Sequence, residues 1–174
     1  MITIVCGTNR KNSITAQVVQ FYDQILKGKG QQTRTLLLEE LPTDFTTSAL
    51  YENAGKNEAF NNFQQQVDAC EKFVFITPEY NGSFPGVLKA FIDGMRYPDT
   101  FEGKKCALIG ISAGTQGAAL AMSHLTDIFN YLGMIVLPNK PRLASMDGKI
   151  SEGEITDSLY IQLLEEQADQ IIGF

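Results

Sequence analysis

Short apolar runs alternate along this chain with segments whose apolar residues recur every three or four positions. Residues 2–6, 33–38, 73–77, 105–111 and 134–137 are largely apolar or β-branched runs, broken only by Arg34, Lys105 and Gly110, and bounded by polar or glycine-containing stretches. Such runs predict strands buried on both faces. Residues 14–28, 58–70, 86–95, 116–132 and 156–172 carry helical spacing, as with Val18, Val19, Tyr22, Ile25 and Leu26 in the first. Five strands separated by helices predict an α/β domain, a parallel sheet with helices on both faces. Gly28-Lys29-Gly30 ends the first helix. Residues 39–57 are polar without a clear period and read as a loop with one short turn. Residues 138–154, with Pro138, Pro141, Asp147-Gly148 and Gly153, read as a second long connection. The alternation continues across both, so residues 1–174 read as a single domain.

Two connections carry the chemistry. Pro78-Glu79-Tyr80-Asn81-Gly82-Ser83-Phe84-Pro85-Gly86 follows the third apolar run and opens into the helix pattern Val87-Leu88-Lys89-Ala90-Phe91-Ile92-Asp93. A loop at the carboxyl end of a strand in an α/β sheet is where ligands bind. Its residues suit a flat heterocycle: Tyr80 and Phe84 offer aromatic faces, Asn81 offers a donor and an acceptor, and Gly82 permits close backbone approach. Cys6-Gly7-Thr8-Asn9-Arg10-Lys11-Asn12-Ser13 follows the first run. Gly7 turns the chain out of the strand, and Ser13 or Asn12 caps the next helix. The hydroxyls of Thr8 and Ser13, the Arg10 guanidinium and the free amides of the first helical turn converge on one anion, such as a phosphate. The loop is neither a P-loop nor a G-x-G-x-x-G dinucleotide loop.

These residues resemble a known family. Gly7-Thr8-x-Arg10-x-x-Ser13, with Pro78 to Ser83 and Pro85-Gly86-Val87-Leu88-Lys89, is similar to the NADPH-dependent FMN reductases, which include flavodoxin-like quinone, chromate and azo-compound reductases. Ser112-Ala113-Gly114-Thr115-Gln116-Gly117-Ala118 falls where that family has its last flavin-contacting loop. The resemblance implies a flavodoxin-like three-layer sandwich with a five-stranded parallel sheet in the order 2-1-3-4-5 and helices on both faces. That order sets the loops after strands 1 and 3 side by side. It further implies FMN as cofactor and NADPH or NADH as co-substrate. Thr8, Arg10, Asn12 and Ser13 would hold the phosphate, and Pro78, Glu79, Tyr80, Asn81 and Gly82 would line the ring. Ser112, Gly114 and Gly117 would form the third wall. The chemistry would belong to the flavin, with no catalytic side chain, and the acceptor would be a small molecule: a quinone, an azo compound, chromate or free flavin. The family also implies a homodimer or homotetramer.

Composition narrows the partners. A net charge of -6 at pH 7 argues against nucleic acid and anionic membranes. No apolar run approaches the ~20 residues that span a bilayer, and no signal peptide is evident at the N-terminus. Cys6, Cys70 and Cys106 are odd in number and set among apolar residues, which predicts buried free thiols in a cytoplasmic protein.

Other readings are weighed on the same residues. His124, the only histidine, lies in a helix pattern with Leu120, Leu125 and Ile128, where packing is its expected duty. With no second imidazole or carboxylate set at ligand spacing, no metal site is expected. Arg96, past the helix after the second loop, matches a position where the family often carries an arginine near the site mouth; a surface role competes with this. A non-enzymatic flavodoxin would carry a phosphate loop richer in Thr and Gly, without Arg10. A receiver domain needs acidic residues after strand 1 and an aspartate after strand 3, where this chain has Gly7-Thr8 and Pro78-Glu79. A nucleotide-binding regulator without redox chemistry is the third rival.

Overall fold

The computed structural model describes residues 1–174. Five strands form at the expected places: β1 (Ile2–Cys6), β2 (Thr33–Leu37), β3 (Lys72–Pro78), β4 (Lys105–Ile111) and β5 (Ile135–Val136). They are parallel, in the order β2-β1-β3-β4-β5. The longer helices are α1 (Ile14–Gly28), α3 (Glu58–Asp68), α4 (Gly86–Gly94), α5 (Ala119–Tyr131) and α6 (Ser158–Gly173). No helix is long and apolar enough to cross a membrane.

Alternate strand residues supply two cores, because successive side chains leave a strand on opposite faces. Val5, Phe73, Phe75, Cys106 and Leu108 meet Phe63 of α3, Leu88 and Phe91 of α4, and Leu125 and Phe129 of α5. Ile2, Ile4, Val74, Ile76, Ala107 and Ile109 meet Val18, Tyr22 and Leu26 of α1 and Leu164 and Ile171 of α6. This double burial is why β1, β3 and β4 read as nearly unbroken apolar runs, whereas the edge strand β2 buries only Leu36 of its five residues.

The structure departs from expectation at the connections. The fifth strand is broken: β5 pairs with the start of β4, and β6 (Arg142–Leu143) pairs with its end, at Gly110 and Ile111. Pro138 and Pro141 lie in the gap, where a missing amide cannot continue a ladder. The 138–154 connection therefore contributes a sheet segment, and β7 (Ile150–Ser151) with β8 (Glu154–Ile155) forms a small antiparallel hairpin beyond it. The 39–57 stretch is more ordered than a loop with one turn. It holds 3₁₀ turns at Leu38–Glu40 and Tyr51–Asn53 and a short helix α2 (Phe45–Ser48). Leu41, Phe45, Ala49 and Leu50 from it are buried, spaced too irregularly to register as a period. α5 begins at Ala119, three residues later than its apolar pattern, because Gly117 and Ala118 both take φ of 58°.

Candidate functional site

The ends of β1, β3 and β4 lie side by side, with Cys6 opposite Ile76 and Pro78 opposite Ile111. The loops 7–13, 79–85 and 112–118 therefore rise from one edge of the sheet. Gly7 is where the first loop leaves. A Cβ there would stand 3.0 Å from the Ile76 carbonyl oxygen and 3.3 Å from Thr77 Cα, so any side chain would press on the β3 backbone that glycine passes closely. Thr8 is buried, and its hydroxyl accepts from the Arg10 amide at 3.2 Å. Ser13 caps α1, its Oγ accepting from the Ala16 amide at 3.1 Å. Asn12 takes φ of 52°, in the left-handed region that Asn tolerates. The amides of Asn9, Lys11, Asn12 and Ser13 have no partner within the chain. Arg10 is exposed and forms no ion pair, so its guanidinium is free to close on an anion.

The second loop is a two-residue hairpin turn. The Tyr80 amide donates to the Ser83 carbonyl at 2.8 Å, and the Ser83 amide returns the bond at 3.1 Å. Asn81 and Gly82 between them take φ of 52° and 74°, as a type I′ turn requires. Their own amides stay unpartnered. Pro78 is buried at the end of β3, and the Glu79 amide donates to the Ile111 carbonyl at 3.0 Å, tying this loop to β4. Glu79 is half-buried, and its Oε2 has no hydrogen-bond partner. Tyr80 is 38% exposed, and its hydroxyl meets the Thr8 hydroxyl at 3.0 Å, joining the first two loops. Phe84 is half-buried and packs in part against the core.

The third loop is braced from within and from behind. Ser112 Oγ donates to the Gly114 carbonyl at 2.7 Å and accepts from the Gly117 amide at 2.9 Å. The Ser112 amide donates to the Leu143 carbonyl, and the Ser145 amide to that of Gly114. A Cβ on Gly117 would lie 2.6 Å from Arg142 Cβ, so this glycine seats the loop on β6. The amides of Ser112 and Gly117 are thus consumed locally, while those of Ala113, Gly114 and Thr115 remain open. No sequence pattern marks the 142–146 buttress, because it is assembled by sheet pairing.

His124 stands elsewhere than the sequence implied, and of the places open to Arg96 it takes one away from this chain's loops. His124 is an exposed residue, not part of the core, and its Nδ1 lies 2.9 Å from Ser83 Oγ. The helix pattern around it is real, but position 124 falls outside the buried stripe Ala121, Met122, Leu125 and Phe129. Arg96 lies beyond the far end of α4, about 13 Å of helix rise from the second loop. There it pairs with Asp68 at 3.0 Å, away from this chain's own loops. Cys6, just below the first loop, is a neutral thiol, pushed up to about 11 by burial. The other two cysteines are also free and buried.

Three loops at one sheet edge thus present runs of unpaired N–H donors, two free cations, Arg10 and Lys11, and one aromatic hydroxyl. That arrangement suits an acceptor-rich ligand with an anionic group at one end, and FMN, with a phosphate and a carbonyl-bearing ring, meets it. Fold and site together define a flavodoxin-like α/β protein with a cradle of loops at the switch point of its sheet. The sequence profile of the NADPH-dependent FMN reductases matches residues 1–147, and the chain belongs to that family. It is 42% identical over 89 residues to a 2-hydroxy-1,4-benzoquinone reductase of a Burkholderia species, covering 49% of this chain and 48% of that one. It is 35% identical over 114 residues to an NAD(P)H-dependent FMN reductase of Pseudomonas aeruginosa, covering 63% and 61%. The chain thus spans about half to three-fifths of these curated relatives. The fold matches FerB, a flavoenzyme NAD(P)H:(acceptor) oxidoreductase from Paracoccus denitrificans. The TM-score is 0.79 at 23% identity, over 99% of this chain and 94% of that one.

Proposed function

We propose that residues 1–174 form a single FMN-binding unit that oxidises NAD(P)H and reduces a small acceptor such as a quinone, an azo compound, chromate or free flavin. The observation that carries this is the set of open amides on three adjoining loops. When bound, FMN supplies the redox chemistry, taking hydride from the nicotinamide and passing electrons on. The chain's residues bind and orient it. The amides of the 7–13 loop, the Ser13-capped start of α1 and Arg10 hold the phosphate. The turn at Asn81-Gly82 and the wall of Pro78, Glu79 and Tyr80 line the ring. The open amides of Ala113, Gly114 and Thr115 would donate to the ring's carbonyl groups and stabilise negative charge there. Ser112 and Gly117 act one step back, by shaping that loop.

The relatives are named as reductases, which favours an enzyme over a non-enzymatic electron carrier. A second copy of the chain would cover the cleft between α4 and α5. This open groove of 530 Å³ is lined by Ile92, Met95, Tyr97, Ile128 and Tyr131 among others. Tyr97 and Tyr131 stack there at 6.4 Å while largely exposed. Three free thiols fit a cytoplasmic protein.

The test is direct. Flavin-free protein should quench FMN fluorescence on titration, and the same protein loaded with FMN and desalted should stay yellow and oxidise NADPH or NADH when benzoquinone is added. A protein that leaves FMN fluorescence unchanged would overturn the reading.

A further inference from the structure

The hydrogen bond between Ser83 Oγ and His124 Nδ1, 2.9 Å long, joins the second loop to a helix 41 residues further along the chain. We propose that His124 is a positioning residue for the turn at Asn81-Gly82; the idea rests on the FMN-site reading only in what it says the turn is for.

The turn is held from two sides. Tyr80 is fixed to the first loop through Thr8 at 3.0 Å. Ser83 is fixed to α5 through His124. Tyr80 and Ser83 are bonded to each other through both backbone groups, so fixing their side chains fixes the frame of the turn. Between them stand Asn81 and Gly82, whose backbone amides are open. An isolated two-residue turn at a protein surface is mobile, because few buried contacts restrain it. The two clamps supply the missing restraint.

His124 is well placed for this. Its neighbours Ala121, Met122, Leu125 and Phe129 are buried and set the rotation of α5. The helix starts where the third loop ends, at Gly117-Ala118. The clamp therefore ties the second loop to the element that carries the third, and Thr8–Tyr80 ties it to the first. The three loops become one unit, which is what holding a rigid ring requires.

Imidazole can sustain the bond in either charge state. Neutral, with its proton on Nε2, it accepts at Nδ1 from the Ser83 hydroxyl; protonated, it donates from Nδ1 to the same oxygen. An asparagine at 124 places a polar atom close to where Nδ1 lies, whereas a glutamine reaches toward the Nε2 position.

The experiment compares His124→Ala, His124→Gln, His124→Asn, Ser83→Ala and the double alanine variant. Two readouts are used: amide hydrogen exchange of Tyr80 and Ser83, the hydrogen-bonded amides of the turn, in the flavin-free protein, and FMN affinity by fluorescence quenching. His124→Ala, His124→Gln and Ser83→Ala should each speed exchange in the turn and weaken FMN by about 2- to 12-fold, the worth of one hydrogen bond. The double variant should be no worse than either single. His124→Asn should restore both readouts toward the parent. Unchanged exchange at Tyr80 and Ser83, additive losses, or an asparagine variant no better than alanine would each overturn the proposal. The exchange arm needs no flavin, so a protein that fails to bind FMN would overturn the FMN-site reading and leave the clamp to be judged on exchange.

Discussion

The hydroxyls of Thr8 and Tyr80 meet at 3.0 Å across 72 residues of sequence, and they are the side-chain link between the first and second loops. Thr8 is 1% exposed, so its oxygen would lose a buried partner if the phenol were removed. Tyr80→Phe is expected to weaken FMN by about 2- to 12-fold, the range set by one hydrogen bond. Thr8→Val should do the same, and the two together should cost little more than either. Fluorescence titration of the three variants measures the coupling; independent, additive losses would show that the link does not order the site.

Arg10 is one of two unpaired cations in the first loop, beside Lys11. A charge-assisted bond contributes ~1.5–3 kcal/mol, so Arg10→Ala should weaken FMN by about 10- to 150-fold with the fold intact. Titration at two salt concentrations checks it. Affinity that does not move would make Arg10 an ordinary surface residue.

Gly110 tests the seat of the third loop. A Cβ there would stand 2.5 Å from the Gly117 carbonyl oxygen and 2.8 Å from Met122 Cε. The side chain of Met122 can shift; the backbone of Gly117 shifts only by moving the loop. Gly110→Ala should lower stability by ~1–3 kcal/mol, as overpacking does. It should also reduce FMN affinity. Urea unfolding and FMN titration of the same preparation measure both, and a stable variant with full affinity would show that the loop is not seated by this contact.

The buried thiols set an alkaline limit. Burial pushes Cys6 up to about 11 and Cys106 up to about 12. Both are acids whose folded value lies above the unfolded one near 9, so between these values the folded chain keeps a proton that the unfolded chain releases. Their stability contribution is full below pH 9 and falls as pH rises through the 9–12 window, by about 1.4 kcal/mol per unit for each thiol. Buried Tyr22 is shifted in the same direction. Urea midpoints measured from pH 8 to 10.5 should therefore decline, and less steeply for Cys106→Ala. At pH 8 Ellman's reagent should leave Cys6 and Cys106 unmodified in the native protein while modifying all three cysteines in denaturant.

The sequence by itself determined the parallel α/β architecture and most of its elements. Strands buried on both faces must be apolar at every position, and helices buried on one side must be apolar every third or fourth. Those two constraints are local and leave legible periods, so β1 to β4 and α1, α3 and α4 lie within a few residues of their patterns. The first two loops were legible for the same kind of reason. A left-handed turn demands Asn-Gly, a close strand exit demands Gly7, and a helix start favours Ser13. Tertiary structure alone decided the rest. The broken edge of β5 and β6, the buried residues of the 39–57 stretch and the brace behind Ser112–Gly117 all depend on pairing with distant segments. His124 was misread for that reason: its helix is amphipathic, but which face it shows the second loop is set by how α5 docks on the sheet. The Thr8–Tyr80 and Ser83–His124 bonds link residues that no window of sequence contains, and only the sheet order that sets the loops side by side brings them within reach.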